Sequence, residues 1–232
     1  KILCQNYVKS EMKTLQNPKD SDWNNFWSRE QSQRFSKLSW SKQRILKVLA
    51  SRCRKGAFAL DAGCGSGFFT KFFSDQEMSA TALDYSDSAL KMAAEATQGA
   101  AKLVRADMVN ENLAELMAER FDLVFTDGLF EHFSVEDQDK IMQNLISVLK
   151  PGGYIVTFVP NRWSPWELIR PIYMPGIEEK PFVLKGLLDL NRRNDLAVVE
   201  SGGVNVLPFG LSPEFLGPKF GMLLYTVAKK VG

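Results

Sequence analysis

Short apolar segments alternate with longer amphipathic segments along the chain from Gly56 onward. The apolar runs read "AFAL", "SATAL", "KLVRA", "FDLVFTD" and "GGYIVTFVP". Runs of this length separated by helix-like stretches are typical of βαβ units. The pattern therefore predicts one α/β domain with a doubly wound parallel sheet. Two later runs, "VNVLPFG" and "GMLLYTVAKK", predict an antiparallel hairpin at the sheet edge.

The first quarter of the chain has a helical pattern instead. "SDWNNFWSREQSQRF" brings Trp23 and Trp27, and apolar residues continue at helical spacing as Leu38, Ile45, Leu46 and Leu49. We expect one or two helices before the sheet. Residues 1–20 are polar and aperiodic, and we expect them to be mobile or loosely docked.

Two further segments mark element boundaries. Ser134 and Asp137 in "SVED" form a capping box that predicts a helix start, and "KPGG" at 150–153 predicts its end. After Pro160 the sequence becomes rich in proline and aromatic residues, which favours a loop or lid. We therefore expect a single domain, 1–232, with four parts. They are an N-terminal helical cap at 1–55, a core at 56–160, a substrate-side insertion with a helix at 161–203 and a C-terminal hairpin at 204–232.

Composition and charge narrow the function classes. At 232 residues, 45% of them hydrophobic, the chain can bury a sizeable core, and no apolar run approaches the roughly 18 to 20 residues of a membrane span. Three cysteines without CxxC spacing support neither a disulfide framework nor a zinc site, and a cytoplasmic location is expected. The net charge of the chain is +2, but it is unevenly distributed. Residues 1–56 carry 13 Lys and Arg against 4 Asp and Glu, a net charge of +9, whereas the remaining residues carry a net charge of −7. This basic segment is either a solvated helix face or a docking surface for an acidic partner.

The segment "ALDAGCGSGFFT" places an acid and three glycines where a strand meets a helix. Gly63, Gly65 and Gly67 follow Asp61 at alternate positions, which is more glycine than a tight turn requires. Glycine permits positive φ and lets the backbone approach a ligand without an intervening Cβ. Ligands bind beyond the carboxyl ends of the strands in open α/β sheets. The turn is therefore predicted to hold a ligand.

The spacing of this turn excludes two common ligands. A dinucleotide fingerprint needs a small residue where this chain has Phe68, and a P-loop needs Lys-Ser/Thr after the glycines. Asp61 would also repel a pyrophosphate. An acid at this position is favourable for a ligand that carries an ammonium or a sulfonium group.

With "ALDYS", "RADM" and "LKPGGYIV", the glycine segment resembles the class I S-adenosylmethionine-dependent methyltransferases, in particular their small-molecule, ubiquinone-biosynthesis-like (type 11) group. The resemblance implies a Rossmann-like, seven-stranded mixed sheet with helices on both faces. It implies S-adenosyl-L-methionine as cofactor, with S-adenosyl-L-homocysteine as product. Asp84 would bind the ribose hydroxyls, Asp107 the adenine amine, and Met108 would cover the adenine ring. The full implied cofactor set is Asp61, Ala62, Gly63, Cys64, Gly65, Gly67, Phe68, Asp84, Tyr85, Ala106, Asp107, Met108, Asp127 and Gly128.

Candidate catalytic residues follow the fourth predicted strand. His132, the only histidine, is either a general base or a structural residue of the pocket floor, and Glu131 is either a base or a complement to a helix dipole. Metal-assisted members of the resembled group carry an acid three residues before this Glu-His pair. Here that position is Gly128, so we predict a metal-independent reaction and no metal site.

The acceptor is the least determined feature. Trp23, Trp27, Trp163 and Trp166 are candidate substrate-binding residues, although helical spacing also allows Trp23 and Trp27 to be core residues. The resemblance implies methyl transfer to oxygen, nitrogen or carbon of a small molecule. Alternatives are a tRNA or protein acceptor, or a cofactor-binding module without catalysis. DNA methylation is disfavoured because "TDGL" lacks the Asn/Asp-Pro-Pro-aromatic motif.

Overall fold

The computed structural model describes residues 20–173, 179–207 and 212–230. Within them the strands are β1 Phe58–Ala62, β2 Ser79–Asp84, β3 Lys102–Arg105, β4 Phe121–Asp127, β5 Leu149–Pro160, β6 Leu196–Val204 and β7 Leu223–Lys230. They form one sheet in the order β3-β2-β1-β4-β5-β7-β6. Strands β1 to β5 pair in parallel, whereas β7 runs antiparallel to both β5 and β6. The predicted seven-stranded mixed sheet is confirmed.

Helices cover both faces of this sheet. They are α1 Asp20–Ser28, α2 Trp40–Ala50, α3 Phe68–Asp75, α4 Asp87–Thr97, α5 Leu113–Leu116, α6 Val135–Ser147, α7 Arg170–Tyr173, α8 Leu184–Arg192 and α9 Gly217–Phe220. Strand residues point alternately to the two faces. Ala59 of β1 joins a core layer with α2 and α3, whereas Leu60 joins a layer with α5, α6 and α8.

Most of the described residues before the sheet, from Asp20 to Ala50, are helical, as predicted. Between α1 and α2 lies a 3₁₀ helix, Glu30–Ser36. The Ser39 hydroxyl caps α2 by accepting from the Lys42 amide at 3.2 Å. The expectation of mobility for residues 1–20 falls almost entirely outside the described residues. No helix within the described ranges combines the length and apolar character needed to cross a bilayer.

One of the predicted boundaries of α6 is confirmed, and the other is corrected. The capping box is confirmed, since the Ser134 hydroxyl accepts from the Asp137 amide at 3.2 Å. However, α6 already ends at Ser147, and "KPGG" lies inside β5, where Gly152 has φ +74°.

The hairpin is present, but its first strand lies earlier than predicted. β6 occupies Leu196–Val204 and shares only Val204 with "VNVLPFG". The next residue, Asn205, has φ +68°, which breaks the extended chain. Residues 208–210 of that segment lie outside the described residues.

The segment predicted as a loop or lid contains short helices. A 3₁₀ helix, Pro165–Leu168, precedes α7, and α8 follows. The segment contacts the N-terminal helices, because the rings of Trp166 and Trp40 lie 5.7 Å apart. It returns to the sheet where the Phe182 amide donates to the Pro160 carbonyl at 2.9 Å.

Candidate functional site

The turn between β1 and α3 requires glycine at two positions for different reasons. Gly67 caps α3 at φ +70°, and a Cβ there would overlap Ala93 of α4. Gly65 has φ +48°, and a Cβ there would overlap the indole of Trp27. Gly67 thus lets α3 and α4 pack closely, whereas Gly65 lets α1 lie against the turn.

Asp84 connects this turn to the end of β2. One carboxylate oxygen, Oδ2, accepts from the Gly65 amide at 3.0 Å, and the other, Oδ1, accepts from the Ser86 amide at 2.9 Å. The residue is 9% exposed, and burial raises the pKa of its carboxyl, opposed by hydrogen bonds from the Ser86, Gly65 and Tyr85 amides. Each oxygen retains a further lone pair with which it can accept from a ligand hydroxyl.

Two more acids lie at the ends of neighbouring strands. Asp61 of β1 is buried and accepts from the Thr70 hydroxyl at 2.6 Å, and burial raises its pKa to about 7. Burial raises the pKa of Asp127, at the end of β4, to about 6, while the charge of Lys42 opposes the shift. Converging carboxyl groups of this kind favour a cationic ligand.

Lys42 is a residue of this site that sequence analysis missed. Its ammonium lies 3.9 Å from the centroid of the Phe68 ring and donates to the carbonyls of Phe35 and Lys37. Burial lowers its pKa to about 8, while Asp127 and Asp61 oppose the shift. Its position in α2 resembles that of any polar helix residue, so the sequence carried no signal for it.

A cavity of about 280 Å³ opens at the carboxyl ends of the strands. Its lining includes Trp23, Trp27, Gly63, Asp84, Tyr85, Ala106, Asp107, Met108, Val109, Asn110, Asp127, Gly128, Leu129, His132 and Phe133. Many predicted cofactor residues thus lie on one surface. Asp61, Ala62, Cys64, Gly65, Gly67 and Phe68 are not among the lining residues and form the turn that supports it.

One end of the cavity is shaped by residues 106–110. The Asp107 carboxylate accepts from the Val109 amide at 2.9 Å and from the Asn110 side-chain amide at 2.7 Å. Ala106 and Met108 are buried beside it. This end therefore combines an acceptor with apolar surface, which suits a flat heteroaromatic base.

Helix α1 covers the cavity. The Trp23 ring contacts the His132 ring at a centroid distance of 4.8 Å and an interplanar angle of 77°. Asn24, which sequence analysis also missed, accepts through Oδ1 from the Ser86 hydroxyl at 2.8 Å and from the Ser88 amide at 3.2 Å. These bonds attach α1 to the start of α4 and hold Trp23 and Trp27 over the cavity. We call these two tryptophans the roof of the cavity.

His132 lines the other end of the cavity, and Glu131 precedes it; both are buried in the 3₁₀ helix Phe130–His132. Glu131 Oε1 lies 3.9 Å from His132 Nε2, and Glu131 Oε2 has no hydrogen-bond partner. Burial, reinforced by the charge of Glu179, raises the pKa of Glu131 well above its usual range. Burial also raises the pKa of Glu179 to about 7, against the influence of Arg170.

The remaining predicted substrate residues lie elsewhere. Trp163 is 66% exposed, and Trp166 packs against Trp40. Neither is among the described residues that line the cavity, and a role for them in substrate binding stays a prediction. Glu179 approaches Glu131 and His132 from a distant segment that sequence analysis did not connect with them.

Comparisons with known proteins match this architecture. Residues 59–153 match a family model described as a methyltransferase domain. A probable S-adenosylmethionine-dependent methyltransferase from Mycolicibacterium smegmatis is 31% identical over 120 residues, covering 51% of this chain and 43% of that protein. A ubiquinone biosynthesis O-methyltransferase from Coxiella burnetii is 27% identical over 108 residues, covering 47% of this chain and 45% of that protein. The chain thus spans less than half the length of these relatives.

A solved structure shows the same fold over most of the chain. The N-methyltransferase NodS from Bradyrhizobium japonicum, in complex with S-adenosyl-L-homocysteine, superposes with a TM-score of 0.65 at 16% identity. The match covers 91% of this chain and 97% of that one.

Proposed function

We propose that this chain, whose residues 59–153 match a methyltransferase-domain family model, uses S-adenosylmethionine to methylate an oxygen, nitrogen or carbon nucleophile of a small-molecule acceptor. The observation that carries the proposal is that the glycine turn, Asp84 and His132 line one and the same cavity, of about 280 Å³, beneath α1. A cofactor and a reacting group bound in one enclosed space can be aligned for transfer.

The residues present fit S-adenosylmethionine. Asp84 offers acceptor lone pairs to ribose hydroxyls, and buried Met108 offers apolar surface to the adenine. The carboxyl groups of Asp61 and Asp127 attract a ligand that bears ammonium and sulfonium charges, and the nearby ammonium of Lys42 offsets part of that attraction. When bound, the cofactor supplies an electrophilic methyl group on its sulfonium sulfur.

We assign the opposite end of the cavity to the acceptor. Trp23 packs edge-on against His132 and fixes the orientation of the imidazole. The ring offers a nitrogen lone pair to the acceptor's proton, and Glu131 is the second catalytic candidate. The roof formed by Trp23 and Trp27 limits access, which favours a small acceptor over a polymer.

The function is tested with S-adenosylmethionine carrying a labelled methyl group. The protein is incubated separately with a metabolite extract, with tRNA and with a protein extract, and each fraction is counted. We expect label in small molecules and none above background in the two polymers. Label that enters only RNA or protein would assign the alternative acceptor.

Calorimetry with S-adenosyl-L-homocysteine completes the test. Binding without any transfer would identify a non-catalytic module. Lack of binding by the folded protein would contradict the cofactor assignment itself.

A further inference from the structure

We infer that Glu131, His132 and Glu179 bind a divalent metal ion beside the acceptor end of the cavity, which His132 lines. One carboxylate oxygen from each glutamate and one ring nitrogen of the histidine lie within 4.8 Å of one another. The catalytic meaning of this ion rests on the proposed function, whereas its binding is a separate property of the three side chains.

The spacing of the Glu131 and His132 donor atoms fits a shared ion. Glu131 Oε1 and His132 Nε2 are 3.9 Å apart, which is too long for a direct hydrogen bond. Two donors that each bind a metal at about 2.0–2.2 Å can be separated by at most roughly 4.4 Å. The two atoms therefore lie within the range that a single ion between them would set.

Burial and charge give a second, independent argument. Glu131 is 2% exposed, and the Glu179 side chain is 3% exposed. The Oε2 atoms of both have no hydrogen-bond partner. The Arg170 Nε atom lies 3.4 Å from Glu179 Oε2 and also 3.0 Å from Glu167 Oε2, so its charge is shared between two carboxylates. Buried carboxylates require compensation, and a divalent ion would supply it.

The backbone brings Glu179 to this position from outside the motif. The Lys180 amide donates to the Glu131 carbonyl at 2.8 Å, which fixes the neighbouring residue beside the Glu-His pair. The prediction of no metal site rested on Gly128, which stands where an acid would be expected. Glu179 provides a carboxylate that the local sequence lacks.

The donor set also indicates the kind of ion. Imidazole and carboxylate donors together suit Mn²⁺, Fe²⁺ or Zn²⁺ better than Ca²⁺. A bound ion beside the cavity would coordinate an acceptor oxygen and make its proton easier to lose to water. The lone pair on Nε2 would then bind the ion, so His132 would position the metal and would not take the proton.

The test measures ion binding without cofactor or acceptor. Calorimetry on the full chain uses Mn²⁺ alone, repeated with Zn²⁺, and electron paramagnetic resonance follows the Mn²⁺ signal. We expect one ion per chain, and at least about tenfold weaker binding in both Glu131→Gln and Glu179→Gln. Glu167→Gln is the matched control, because it removes a neighbouring carboxylate that is not in the donor set, and its affinity should stay within about threefold.

Thermal unfolding separates loss of the ion from loss of the fold. Mn²⁺ or Zn²⁺ should raise the melting temperature of the unsubstituted protein and not that of Glu179→Gln. If Glu131→Gln does not fold, Glu179→Gln carries the test. Equal affinity in all variants, or no binding of either metal by the folded chain, would overturn the inference. Methyl transfer to small molecules that persists in that case would leave the proposed function standing.

Discussion

The two ends of the cavity are built in different ways. The cofactor end draws Asp61, the glycine turn and Asp84 from the short segment 59–85, where consecutive βα units place strand ends side by side. The acceptor end combines Trp23 from α1, the pair at 131–132 and Glu179 from beyond α7. A local motif is therefore sufficient to recognise the first end, whereas only the folded chain reveals the second.

The two ends also differ in how their polar groups are satisfied. Both oxygens of Asp84 accept from backbone amides, and Asp61 accepts from Thr70. Glu131 and Glu179, by contrast, each have an oxygen without a hydrogen-bond partner. The carboxylates of the cofactor end are thus held by hydrogen bonds within the protein, whereas those of the acceptor end keep acceptor capacity for a ligand.

The largest effect is expected from Gly65→Val at the cofactor end. The new side chain would meet the Trp27 ring at a backbone of positive φ, so cofactor affinity should fall below detection in calorimetry. Gly56→Val is the matched control, because Gly56 has φ +76° and nothing within 4 Å of a Cβ. The control should lose about 1–2 kcal/mol of stability and keep its affinity. Retained affinity in Gly65→Val would show that the turn is only structural.

Asp84→Ala should weaken cofactor binding by about 1.5–3 kcal/mol, or roughly 10- to 150-fold, because it removes a charged acceptor. Calorimetry with S-adenosyl-L-homocysteine measures the change. Asp87→Ala is a suitable control, since the Asp87 side chain is 74% exposed and pairs with Arg105 outside the cavity lining. Equal affinities for the two variants would refute the assignment of Asp84.

The pH dependence of cofactor binding tests the charge of Asp61. Burial raises the pKa of this carboxyl to about 7, so it is mostly neutral at pH 6 and mostly ionised at pH 8. Affinity for the cationic cofactor should therefore fall on acidification from pH 8 to 6, by up to about tenfold. Calorimetry across this range should show a flatter profile for Asp61→Asn. An unchanged slope in that variant would assign the titration to another group.

The smallest effect is expected from Asn24→Ala, which loosens the roof shared by both ends. The change removes the two hydrogen bonds that the Asn24 side chain accepts from Ser86 and Ser88, worth about 0.5–1.5 kcal/mol each. Faster cofactor dissociation, by about two- to tenfold, should appear in stopped-flow fluorescence. Asn25→Ala controls for helix propensity, because Asn25 is exposed. Identical rates in both variants would mean that the roof does not limit release.

The sequence revealed features that depend on neighbouring residues and missed features that depend on distant ones. Strands β1 to β5 were visible as apolar runs, and Asp84 was visible because it ends one of them. β6 was misplaced because the left-handed conformation of Asn205 is one that a sequence pattern does not determine. The contact between Asn24 and Ser86 joins residues 62 positions apart, and no periodicity predicts it. Glu179 was missed for the same reason.

The position of α1 and the pairing of β5 with β7 determine which piece of the chain can be excised intact. A fragment cut to residues 59–153 would retain the glycine turn but would lose both tryptophans of the roof and the ammonium of Lys42. It would end inside β5, whose residues 154–160 pair with β7. Strand β4 would lose the β5 partners of Leu123 to Asp127 and become an open sheet edge, which promotes association between chains. The smallest useful expression unit is therefore larger than the recognisable motif region, and it extends at least from α1 through β7.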